Sequence, residues 1–219
     1  PRAQRRHLAP HAARTLNAQR RTANAPEKRN LMNTLLKSLI ALSAAALAWQ
    51  VQAAPYQSIV PAKSSITFNF KQMGVSADGR FKKFAAQVNF DPAKAAQGQA
   101  SFEVELASVD TGSGEADQEV VTKSWFNTAA FPKAQFVSKR IQQTAPNQYE
   151  VLGTLSIKGQ SREVKFPLKH TPQGKDGLLT GGFTLKRADY SIGEGMWAKF
   201  DVVANDIQVN FSITASQGK

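Results

Sequence analysis

Three groupings of side chains in this sequence are of a type that could do chemistry. His170 is the only histidine beyond position 11. To act as a general base it would need a nucleophile and an orienting carboxylate beside it. Nothing in the sequence places them, so His170 is expected to be a solvated histidine at a strand end, before Thr171-Pro172. Glu115, Asp117 and Glu119 resemble a cation cluster. On a helix that spacing splays them around the N-terminus, where carboxylates stabilise the dipole by on the order of a few tenths of a kcal/mol. Asp110 and Thr111 are suited to the turn leading into that helix. Arg187 and Asp189 precede a Gly-rich turn, and bonding to nearby backbone is their expected role. The chain has no Cys and no His-x-x-x-His spacing, so it offers no disulfide and no zinc site. Its glycines mark turns and form no phosphate-cradling run. The expectation is a protein that binds and does not catalyse: no catalytic residue, no metal, no cofactor.

Charge narrows the partner. The chain is +12 overall, with a pI near 10.1. Residues 1–31 alone carry eight Lys/Arg against Glu27, and Lys37 adds one more, leaving 19 basic and 15 acidic residues (+4) in 54–219. Basic and acidic residues alternate there, with no stripe interleaved with stacking aromatics, so nucleic acid is not an expected partner. A mild attraction to an anionic membrane surface is compatible with +4. Segment 1–31 lacks apolar periodicity and is expected to be a disordered basic extension or sequence upstream of the true start. A second start stands at Met32, followed by Lys37, an uncharged Ala/Leu-rich run from Ser38 to Trp49, and small residues at Val51-Gln52-Ala53. A helix over that twelve-residue run spans only about 18 Å of a ~30 Å hydrocarbon core. Segment 32–53 is therefore expected to be a cleaved signal peptide, exporting residues 54–219 as one domain.

The elements that position everything else are strands. Apolar residues recur with period two: Ile66, Phe68, Phe70; Phe84, Ala86, Val88, Phe90; Phe102, Val104, Leu106; Tyr149, Val151, Gly153, Leu155, Ile157; Val164, Phe166, Leu168; Phe183, Leu185; Ile207, Val209, Phe211, Ile213. Residues 133–142 alternate more weakly. Turn signals separate the runs, among them Ala77-Asp78-Gly79, Pro146-Asn147, Lys158-Gly159 and Gly174 to Gly177. One helix is expected over Glu115 to Lys123, and a helical turn near Met73 to Ser76. Eight one-sided strands must close as a sandwich or a barrel, and runs of ten or more residues favour an eight-stranded antiparallel barrel with one or two short helices. Thirteen Phe, many on the inward face, would give it a wide apolar lining.

Five blocks in order carry a resemblance: Gly79-Arg80-Phe81 with Phe90-Asp91-Pro92; Ala107-Ser108-Val109-Asp110-Thr111-Gly112; Trp125-Phe126-Asn127 with Phe131-Pro132 and Phe136-Val137-Ser138; Gly153-Thr154-Leu155-Ser156-Ile157-Lys158-Gly159; and Arg187-Ala188-Asp189-Tyr190-Ser191-Ile192-Gly193. Over residues 56–215 the chain resembles the YceI-like, polyisoprenoid-binding periplasmic proteins. Tyr190-Ser191 stands where the family has Phe-Gly, Ser156 where it has Thr, and Ala116-Asp117-Gln118-Glu119 where many members have Arg-Asp-x-His. The resemblance implies a lipocalin-like, all-β barrel in the periplasm, with a tunnel for an isoprenoid lipid of the polyprenyl phosphate or quinone type. The expected lining is Phe68, Phe70, Phe84, Phe90, Phe102, Val104, Phe136, Leu155, Phe166, Phe183 and Phe211. Phe126, Phe131 and Trp197, in connections, are expected at the mouth with Trp125. Oligomeric state stays open, a homodimer included. The alternative is a barrel with a filled core, serving as an adaptor or in a stress response.

Overall fold

A strand apolar on one face needs a hydrogen-bonded neighbour on each edge and a covered inner surface; a sheet curled on itself supplies both. The computed structural model describes residues 54–218. The basic extension and the expected signal peptide lie outside the described residues. Eleven strands form: β1 (Tyr56–Ile59), β2 (Ser65–Gln72), β3 (Val75–Phe81), β4 (Phe84–Asn89), β5 (Gln99–Glu105), β6 (Val109–Asp110), β7 (Lys133–Ala145), β8 (Gln148–Ile157), β9 (Gln160–Gln173), β10 (Asp176–Lys186) and β11 (Asp206–Gln217). Their lateral order is β4-β5-β7-β8-β9-β10-β11-β2-β3-β6, with β1 pairing β11 off that path. The pairings are antiparallel.

Eleven segments make the expected eight staves because two staves are bent, each counting two segments, and β1 lies off the path of the others. β3 runs on into β4, β5 runs on into β6, and the two lie side by side. Arg80 pairs Asp110, Phe84 pairs Val104, and between them Lys82 N–H donates to Ser108 O at 3.0 Å and Glu105 N–H to Lys83 O at 3.1 Å. Beyond the other end of β4, β1 covers the seam: Tyr56 and Phe90 exchange backbone hydrogen bonds of 2.9 and 3.0 Å.

β3 departs from expectation. Ala77-Asp78-Gly79 lies inside the strand, and the expected helical turn near Met73 is the β2–β3 hairpin. That hairpin reverses at Met73 and Gly74, with φ of 47° and 80°. Glycine sits mid-strand at 79 because the Phe68 ring, directly across the ladder, occupies the space a Cβ would need. The same device recurs twice on the inner wall. The Phe136 ring covers Gly153, and at Gly181 a Cβ would meet both the Phe211 ring and Pro167 O at 2.5 Å. In each case the ring takes the room that a side chain at the glycine would need.

The one α-helix among the described residues, α1 (Gly114–Val120), is shorter than expected. Ser113 Oγ caps it through Ala116 N–H. Asp117 does more than favour the dipole, since its Oδ1 accepts from Thr111 N–H (2.7 Å) and Thr111 Oγ1 (2.8 Å), fixing the β6–α1 turn.

Candidate functional site

Two cavities occupy the barrel, of about 540 and 130 Å³. They share a waist, Ile66, Val104, Leu155, Phe183 and Val209, drawn from β2, β5, β8, β10 and β11. Period two carries each strand from one chamber to the other. Along β8, Ile157 lines the larger, Leu155 the waist and Val151 the smaller; along β11 the order is Ile207, Val209, then Phe211 and Ile213. The smaller chamber has only apolar residues in its wall. Its narrowness has a visible cause: Phe166 lies 5.4 Å from each of Phe136, Phe183 and Phe211, ring centre to ring centre. The larger adds Gln72, Thr111, Ser113, Glu115, Glu119 and Arg187.

Connections build the rim. Arg187, only 1% exposed, starts the long β10–β11 connection and binds it from inside. Its Nε donates to Ala204 O (3.2 Å), Nη1 to Ile192 O (2.8 Å) and Gly193 O (3.0 Å), and Nη2 to Trp197 O (2.7 Å), Lys199 O (3.1 Å) and Val203 O (2.9 Å). The guanidinium lies between the Trp125 and Phe200 rings, 5.4 and 5.1 Å from their centres. Burial lowers its pKa from the ordinary arginine value. Backbone organisation is thus the role of Arg187, as expected. Asp189 is exposed and its side chain is not part of this network. Lys158, at the β8–β9 turn, reaches Glu194 Oε2 at 2.8 Å, and Trp197 Nε1 donates to Glu119 Oε1 at 2.8 Å, tying the loop to β8 and α1. Ser191, standing where the family resemblance expects glycine, takes the left-handed conformation at φ 54°.

His170 corrects its expectation. It lies within β9, 3% exposed, at the end of the barrel away from the rim. Its Nε2 meets Tyr56 Oη at 3.0 Å, its ring stands edge-on to Phe90, and Phe90 stands edge-on to Tyr149. Burial lowers the imidazole pKa and raises those of both tyrosines. The residue belongs to an aromatic plug and lines neither cavity.

The expected lining residues are distributed between the chambers. Phe68, Phe70, Phe126 and Trp197 line the larger; Phe90, Phe102, Phe136, Phe166 and Phe211 the smaller; Val104, Leu155 and Phe183 both. Phe84 and Phe131 line neither. Phe84 shares the inward face of β4 with Val88, but sits where the stave bends and packs on the core. Phe131 lies under the β8–β9 turn, its ring 3.1 Å from where a Cβ on Gly159 would be, a position whose φ of +76° already favours glycine. Phe81 was not expected and lines the larger chamber, 5.4 Å from Phe68 and 6.2 Å from Phe126. It was hidden because β3 looks like a turn. Arg187 and Glu119 also line the larger chamber, Arg187 at the start of the β10–β11 connection, which carries no periodic signal, and Glu119 on α1, where only a dipole role was expected.

Comparison with known proteins agrees with this geometry. A family model for the YceI-like domain matches residues 57–215. A UPF0312 protein of Photorhabdus laumondii is 31% identical over 147 residues, covering 65% of this chain and 76% of its own. Among solved structures, BcnA of Burkholderia cenocepacia superposes with a TM-score of 0.71 at 38% identity, covering 73% of this chain and all of its own. A polyisoprenoid binding domain from Saccharophagus degradans superposes with a TM-score of 0.58 at 17% identity, covering 76% and 99%. On the family match and the barrel together, the chain belongs to the YceI-like family.

Proposed function

We propose that this protein is an exported, periplasmic carrier that holds the tail of an isoprenoid lipid in the barrel and catalyses no reaction. The observation that carries the proposal is the shape of the bore: an apolar chamber of about 540 Å³ with a polar rim, continuing past a five-residue waist into a wholly apolar chamber. That volume falls in the range of roughly 300–1,000 Å³ common for small-molecule sites. The signal-like segment 32–53 supports export, and the polyisoprenoid binding domain that shares the fold supports the ligand class. The sealed position of His170 supports a binding role, since the imidazole faces no chamber.

The energetics favour exchange with a membrane over capture from water. Burying forty carbons at about 0.8 kcal/mol each would release roughly 30 kcal/mol relative to water, beyond the practical affinity ceiling of about 20. A lipid that starts in a bilayer is already out of water, so its transfer into an apolar bore is near neutral, and fit at the waist and head contacts at the rim decide occupancy. Transient contact with a bilayer is part of the proposal. Met73 and Val75 on the β2–β3 hairpin and Met196 beside Trp197 are 71, 69 and 85% exposed, next to rim residues Gln72 and Trp197.

Native mass spectrometry of the purified protein, followed by organic extraction, tests the proposal. The expected result is a holo mass whose extract contains an isoprenoid, and loss of that adduct in Leu155→Trp, which fills the waist. A homogeneous apo mass after expression in a lipid-replete host would overturn it.

A further inference from the structure

The chain has no cysteine, so its redox-active sulfur is confined to methionine. Of its three methionines, Met32 precedes the barrel, Met73 is on the β2–β3 hairpin and Met196 on the β10–β11 connection. Methionine is ordinarily a buried side chain that fills irregular gaps in a core. Met73 and Met196 are instead 71 and 85% exposed.

Neither position asks for methionine on local grounds. Met73 and Gly74 form a two-residue loop between the paired Gln72 and Val75, and both take positive φ, 47° and 80°. A loop of that kind favours Asn-Gly, and a side chain with a Cβ is disfavoured in the left-handed region. Met196 stands between Gly195 (φ 63°) and Trp197 in a single tight helical turn.

The two segments make one surface. Met73 N–H donates to Val202 O at 2.7 Å, Ala204 N–H donates to Lys71 O at 2.9 Å, and Gln72 bridges Val203. The hairpin is thereby fastened to the β10–β11 connection. Val75 and Phe200, 69 and 49% exposed, belong to the same two segments. Five large apolar side chains are strongly exposed among the described residues; four are these, and the fifth, Val137, lies on β7. Exposed apolar side chains gathered beside the mouth of a cavity mark a contact surface.

The chemistry open to that surface follows from its sulfurs. A thioether attacks one oxygen of hydrogen peroxide: an S–O bond forms, the O–O bond breaks, and sulfur gives up two electrons. The departing hydroxide takes the proton left on the transferred oxygen and leaves as water. The product is a sulfoxide, a polar acceptor where an apolar side chain stood. In water that acceptor is solvated, whereas against hydrocarbon it has no partner. The exposure that lets Met73 and Met196 meet a bilayer also lets them meet peroxide.

We propose that Met73 and Met196 are modification sites for peroxide, and that their oxygenation releases the rim from a bilayer. This rests on the bilayer contact in the carrier proposal and adds its regulation. The carrier exchanges lipid with a membrane while both sulfurs are thioethers, and stays in solution with its cargo once they are sulfoxides.

The test begins with the full chain treated with hydrogen peroxide, digested and mapped by mass spectrometry. One added oxygen is expected at Met73 and one at Met196, each at a rate close to that of free N-acetylmethionine; resistance at either position overturns the assignment. Docking is then followed by amide exchange across residues 72–76 and 194–200 with vesicles of phosphatidylcholine alone, a readout local to the rim that residues 1–53 do not enter. Vesicles should slow exchange there in untreated protein, and about tenfold more lipid should be needed after peroxide. Methionine sulfoxide reductases, which return each epimer to the thioether, should restore the original lipid requirement. The double variant Met73→Leu, Met196→Leu keeps the apolar bulk without sulfur and should dock equally before and after peroxide. Oxidised protein that docks as well as untreated protein, or a double variant that still loses docking on treatment, overturns the proposal. Untreated protein whose rim exchange is unchanged by vesicles overturns instead the bilayer contact beneath it.

Discussion

The two ends of the barrel are closed by opposite chemistry. At the rim, a buried guanidinium holds the β10–β11 connection through six carbonyl oxygens, and Lys158–Glu194 and Trp197–Glu119 pin that connection to its neighbours. At the far end the closure is neutral: Tyr56, Phe90, Tyr149 and His170 pack ring against ring, with one side-chain hydrogen bond between Tyr56 and His170. A loop spanned by polar bonds can surround an opening without filling it, whereas packed aromatic rings exclude volume. The chamber beside the charged end is accordingly about 540 Å³ and the one beside the aromatic plug about 130 Å³. On the carrier proposal, this difference makes the rim the entrance.

The largest way to break this contrast is at Arg187. Arg187→Met orphans several buried carbonyls at once, and a loss of about 3–5 kcal/mol in urea unfolding is expected, with faster amide exchange across residues 192–204. Arg187→Lys should not restore it, because an ammonium cannot fan out to carbonyls on opposite sides of a planar fork. A neutral Arg187→Met would mean that the rim is held by something else. Next comes the wall between the chambers. Gly181→Ala drives a Cβ against Pro167 O, which is backbone and cannot swing away, and against the Phe211 ring. A cost of about 1–3 kcal/mol is expected, with Phe211 displaced into the smaller chamber; an unshifted ring in the variant's crystal structure would refute the claim that Gly181 makes room for that ring.

The smallest effect is expected at the plug, where Tyr56→Phe removes one hydrogen bond at a cost of about 1 kcal/mol. The plug also has a pH signature. Burial holds the folded-state pKa of His170 below its unfolded value of about 6.5. The unfolded chain therefore takes up the proton first, so stability is full above pH 6.5 and declines as pH falls below it. His170→Phe should flatten denaturation midpoints in that window. An unchanged slope would show that the histidine is not buried as neutral imidazole.

Much of the barrel was legible in the sequence because period two is a strong signal wherever one face is buried. β7 through β11, each ten to fourteen residues long, were all anticipated. β3 was not, because Val75-Ser76-Ala77-Asp78-Gly79 carries turn residues, and the reason Gly79 is tolerated there is the ring of Phe68 on another strand. The site divides in the same way. Lining residues on strands, such as Leu155 and Phe211, follow from alternation. Arg187, on a connection, and Phe81, on a strand that reads as a turn, line the chamber through paths that local pattern does not encode, and Glu119 sits on the expected helix but reaches the chamber through tertiary packing. His170 was misplaced for a related reason. Its neighbours Thr171-Pro172 suggest an exposed strand end, while the residue that buries it, Tyr56, is 114 positions away.

A crystal structure of the protein grown with squalene would decide whether the bore admits a hydrocarbon chain. Continuous density is expected to enter between Phe126 and Trp197, pass the waist at Leu155 and Val209, and end against Phe90. Phenyl rings filling both chambers, with squalene on the outer surface or absent, would contradict the carrier.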